Sequence, residues 1–138
     1  MHTFEQLVHR FESCELTPPE WTHAAHLSVA LWYVIHHPEP LEAVRSGTQN
    51  LNAHLGVEQT PDRGYHETIT RFMVSAIKSF VRGNASIDDP ERLRDALLQS
   101  KWSDKRTVLE YYGRDLIMSA EARYGWVEPD LAQLPELS

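Results

Sequence analysis

The sequence holds one cysteine, Cys14, so no disulfide can form within the chain and no thiolate metal cluster can be built. As a lone thiol it is expected to act as a small buried apolar group. No apolar run approaches the roughly twenty residues that cross a bilayer, so no membrane span is expected. Positive charge is in deficit: 13 Lys and Arg stand against 20 Asp and Glu, for a formal net charge of −7. Nucleic-acid backbones and anionic membranes are held by basic surfaces, so neither is the expected partner. Strand signals are missing too. No stretch alternates with period two, and neither Asn-Gly nor Asp-Gly occurs. The opening residues, MHTFEQLVHRFE, show no apolar run behind a positive charge, which makes a cytoplasmic location the expectation.

What remains is helical periodicity. A chain of 138 residues, with 41% hydrophobic residues, fits a single domain over 1–138. Phe4, Leu7, Val8 and Phe11 predict a first helix that ends before the Pro18-Pro19 pair. Thr22 is a good N-cap for a second helix running to about His37. Leu41, Val44, Thr48, Leu51 and Leu55 form the inner stripe of a third, closed by Gly56. A fourth begins at His66 and Glu67 and turns Ile69, Met73, Ile77 and Phe80 inward. Asp89-Pro90 opens a fifth helix, Ser103 caps one reaching Gly113, and a short turn runs from Ser119 to Tyr124. The tail from Trp126 reads as extended. The expected fold is therefore all-α, an irregular bundle of about five to seven helices with an extended C-terminal tail.

The anomaly is WTHAAHLSVALWYVIHH, Trp21 to His37, an apolar helix that carries four histidines. At 100° per residue, His23, His26, Ala30, Tyr33 and His37 share one side, and hydrocarbon covers most of the rest. Two histidines three apart can reach one metal ion. A third donor must come from another element, and His66, Glu67 and Thr70 form a polar wedge on the fourth helix. The expected centre is a divalent metal (zinc, iron or nickel) held by His23, His26 and His66. Glu67 is a fourth ligand or general base in this reading, and Tyr33 and Thr70 hydrogen-bond a small-molecule substrate. Hydrolytic and oxidative chemistry are both open.

Two rival readings use the same residues. In one, no metal is present and His66 with Glu67 form an acid–base pair for an isomerase, lyase or hydrolase. In the other, the histidines belong to a non-enzymatic module that senses a small ligand or pH. Plainer roles exist for each residue. His23 can be exposed in a first turn, Glu67 can serve the helix dipole and pair with Arg71, and His36 and His37 suit a helix C-terminus. A homo-oligomer is compatible with all of these readings.

The segments FESCELTPPEWTHAAHLSVALWYV, RSGTQNLNAH, GYHETITRF and SAEARYGWVEPDLAQLP together resemble a family of small uncharacterised bacterial all-helical proteins. The shared pattern is Trp/Phe-x-His-x-x-His-Leu, an Asn in the following helix, Tyr-His-Glu-Thr-x-Thr, Ala-Arg and a closing Pro-Asp-Leu. The resemblance spans nearly the whole chain and implies motif positions rather than a reaction. It marks His23, His26, Asn50, Tyr65, His66, Glu67, Thr68, Thr70 and Arg123. It alone adds Asn50 and Arg123, which it implies could hold a carboxylate or other anionic group.

Overall fold

Helix α1, Phe4–Glu12, opens the chain in the computed structural model, which describes residues 2–134. It starts at Thr3 because Thr3 and Gln6 cap each other reciprocally, and it buries Phe4, Leu7, Val8 and Phe11. Pro18 and Pro19 then force a single 3-10 turn, Pro18–Glu20. Thr22 accepts a hydrogen bond from the Ala25 amide and launches α2, His23–His36. Helices α3, Pro40–Leu55, and α4, Glu67–Gly83, follow. Helix α3 stops at Gly56, whose φ of 74° is left-handed and suits glycine. Helix α5, Pro90–Leu98, is capped by Asp89. Two short α-helices, α6 (Arg114–Ile117) and α7 (Ala120–Tyr124), come last. No strand occurs among the described residues, so the all-α expectation holds.

Helix α2 is the centre of the bundle, lying against α1, α3, α4 and α5. Leu27, Ser28, Val29, Ala30 and Leu31 are buried in succession. Five consecutive buried positions cover more than one turn, so only a helix enclosed on several sides can hold them. A second apolar cluster gathers Phe72 of α4 with Tyr111, Tyr112, Ile117 and Leu134.

Two local expectations change and a third gains detail. The segment after Ser103 is 3-10 over Lys105–Glu110, not α-helix. Asp104 accepts from the Arg106 amide and the Thr107 hydroxyl donates to the Lys101 carbonyl, so side chains compete for the backbone there. The tail is non-helical as expected but docked through its first part: the Leu131 amide donates to the Tyr111 carbonyl and the Gly113 amide to Asp130. Cys14 is only partly buried and sits at φ 59°, a turn position rather than a core one.

At Gly47 helix α3 passes close to Phe11 of α1. A Cβ there would stand 2.3 Å and 2.5 Å from two ring carbons of Phe11. Phe11 is 1% exposed and stacked on Trp21, so its ring has nowhere to move. Gly47→Ala is therefore expected to destabilise the protein by about 1–3 kcal/mol through overpacking. That outweighs the roughly 1 kcal/mol that alanine gains over glycine within a helix. Urea unfolding checks the sign, and a stabilised variant would show that the two helices can separate.

Candidate functional site

A cavity of about 900 Å³ lies between α2, α3, α4 and the 3-10 segment after α5. Its lining is chiefly apolar, with Leu27, Val44, Ile69, Met73 and Ile77 among the walls. His23, His26, His66 and Thr70 all contribute to it, so one site gathers residues forty or more positions apart in sequence. They differ sharply in what their polar atoms are doing.

His26 is an imidazole with one nitrogen fixed and the other left to receive something. Its Nδ1 lies 2.8 Å from the Thr22 carbonyl, which can only accept, so Nδ1 carries the proton. The ring stacks on Trp21 with centroids 3.7 Å apart. Nε2 is left as a lone-pair acceptor with no hydrogen bond to it among the described residues, on a ring that is partly buried. Burial lowers the pKa of His26 to about 4, against the opposing pull of the Thr22 carbonyl and with help from neighbouring His23. The ring is neutral across the physiological range. His23 turns its Nε2 to the Trp102 carbonyl at 3.0 Å, tying α2 to the 3-10 turn Lys101–Ser103 and leaving Nδ1 as acceptor.

His66 is fully engaged. It precedes α4 as N-cap instead of beginning it: Nδ1 accepts the Ile69 amide at 3.1 Å, and Nε2–H donates to the Ile117 carbonyl at 2.8 Å. Both nitrogens are used, so His66 offers no atom to a metal. Burial lowers its pKa, opposed by the Ile117 carbonyl and aided by Arg123. Glu67 is bound on both oxygens by Arg45 of α3, at 2.9 and 2.6 Å, and Oε1 also accepts the Tyr65 hydroxyl at 2.8 Å. These bonds, Arg45 foremost, lower its pKa. The pairing with Arg71 expected from helix spacing is replaced by one across helices. Neither the three-histidine centre nor the His66–Glu67 acid–base pair is assembled. Among the described residues no group of three His, Cys, Asp or Glu side chains forms a metal cradle.

The remaining motif residues also turn to the fold. The Tyr33 hydroxyl leaves the stripe and donates to Glu12 of α1 at 2.5 Å. Arg123 donates to the Pro61 and Gly64 carbonyls at 2.9 and 2.8 Å and so holds the loop before α4, rather than an anion. The Thr68 hydroxyl donates to the Gly125 carbonyl and accepts the Val127 amide, pinning the tail to α4. Thr70 spends its proton on the His66 carbonyl at 2.8 Å, though the residue still lines the cavity. Asn50 is exposed and stands off the cavity, while Asn52 and Thr48 line it from α3. Thr48 was detectable in sequence as the polar member of an apolar stripe. The cavity-lining charges Asp104, Lys105, Arg106 and Arg114 carry no periodic signal, because they lie on 3-10 turns and a four-residue helix. The chain matches no protein-family model, no curated protein and no solved structure.

Proposed function

We propose that this protein binds a small, largely apolar organic molecule in the cavity between α2, α3 and α4, and that the molecule donates a hydrogen bond to His26 Nε2. The observation that carries this is the free Nε2 of a cavity-lining imidazole whose other nitrogen is fixed by Thr22. A mostly apolar concavity with a few directed polar groups is the usual form of a small-molecule site. Binding suits His26 better than proton abstraction. A conjugate acid pushed down to about 4 makes a weak base, whereas general bases work best with a pKa near the working pH. The metal-dependent reading finds no support in the donor set, since His66 and Glu67 are committed elsewhere.

Naphthol and methoxynaphthalene test the assignment, because they share one apolar body and only naphthol has a hydroxyl donor. Naphthol is expected to bind the parent about tenfold more tightly, the worth of one hydrogen bond. In His26→Leu the two should bind alike. Quenching of Trp21 and Trp102, both in the cavity wall, reports the titration. Failure of both compounds to bind would remove the pocket reading altogether.

A further inference from the structure

The charges around the cavity run against those of the chain. The protein is acidic, with a formal net charge of −7, yet the cavity-lining charged residues are three cations and one carboxylate. Arg106 is held by that carboxylate, Asp104, with Nη2 2.8 Å and Nε 3.1 Å from its two oxygens. Lys105 and Arg114 remain. Both are exposed, and among the described residues neither takes part in an ion pair. They lie on different elements, the 3-10 segment Lys105–Glu110 and α6, and reach the same cavity from the solvent side. None of the other described Asp and Glu residues lines it.

We infer that the ligand is an amphipathic carboxylate, whose apolar body fills the cavity while its anionic end meets Lys105 and Arg114 at the mouth. The inference rests on the pocket reading and adds the charge of the ligand. A cleft with apolar walls concentrates the field of the cations at its rim, so an anion is drawn to this opening despite the overall negative charge. Arginine and lysine at separate points of a rim suit a carboxylate, whose two oxygens accept from both. The donor for His26 sits at the other end of the same molecule, since Nε2 as a lone-pair acceptor repels a carboxylate.

Hydroxynaphthoate, with hydroxyl and carboxylate at opposite ends of the ring system, separates the two readings when compared with its neutral carboxamide and with naphthol. The carboxylate is expected to bind the parent about fivefold more tightly than the carboxamide at low salt, the scale of exposed charge pairs. Added salt should erase that advantage, as should the double substitution Lys105→Gln, Arg114→Gln. Both residues are exposed, so the variant should melt with the parent; if it does not fold, the salt titration of the parent decides. Equal affinities for carboxylate and carboxamide, with naphthol still binding, would overturn the charge assignment and leave the pocket reading standing. An advantage that persists in the double variant, or at high salt, would place the carboxylate elsewhere and also overturn it. If naphthol fails as well, both readings fall together.

Discussion

Replacing His66 with alanine is expected to weaken the whole fold. The side chain is 8% exposed and ties the start of α4 to the end of α6 through two hydrogen bonds. Its loss uncaps α4, worth about 1 kcal/mol. It also leaves the Ile117 carbonyl buried without its donor, worth a further 1–3 kcal/mol or so. The sum, about 2–4 kcal/mol, corresponds to a melting temperature lower by roughly 10 °C for a chain of this size. His66→Asn separates the two parts. Asparagine caps helices well but is too short to reach Ile117 in place of imidazole Nε2, so it should recover only the cap. Urea unfolding of the three proteins near neutral pH makes the comparison. An alanine variant within about 0.5 kcal/mol of the parent would mean that His66 is free, and would reopen its candidacy as a ligand or base.

That outcome bears on how the Tyr-His-Glu-Thr-x-Thr segment is understood. Its His66, Glu67 and Thr70 read in sequence as a polar wedge on an apolar helix, which is the form of a reactive site. In the fold they are ties: Tyr65 to Glu67, Glu67 to Arg45, His66 to Ile117, Thr68 to Gly125 and Thr70 to the His66 carbonyl. A dense polar motif on an apolar helix therefore has two explanations, chemistry or long-range stitching. Sequence spacing cannot separate them, because Ile117 and Gly125 contribute only backbone carbonyls. The partners of His66 and Thr68 have no residue-type signature.

Helix α2 was legible for the opposite reason. Its signal is local: a threonine cap, a proline before it and hydrocarbon all round. The pairing of His26 Nδ1 with Thr22 four residues earlier is local as well. The stripe failed at Tyr33, which points to Glu12 on α1. Two turns beyond His26 the neighbouring element changes, and a shared helix face ceases to be a shared site. The 3-10 wall and its cations were not legible, since short turns held by Asp104 and Thr107 side chains have no period to read.

The protein should lose stability in mild acid, before most of its carboxylates titrate. The pKa of His26 falls from 6.5 to about 4 on folding, chiefly through burial. Between those two values the unfolded chain holds a proton that the folded chain rejects, so falling pH favours unfolding. The contribution is complete above about pH 6.5 and is gone near pH 4. Its size is about 3 kcal/mol, since each tenfold loss of proton affinity on folding is worth roughly 1.4 kcal/mol. His66 acts with the same sign, because burial lowers its pKa too and a second ring proton would face the Ile69 amide. Glu67 and Asp104, whose pKa values are also lowered, add stability that is lost only as the pH falls below 4.5 and 3.8, their ordinary values. The two windows are separable. His26→Gln removes the titrating ring, so its unfolding free energy should vary less steeply than the parent's from pH 6.5 down to 4.5, and the curves should run parallel below pH 4. Parallel curves throughout would mean that His26 titrates normally, and its ring would lose its standing as the neutral acceptor on which the binding reading depends.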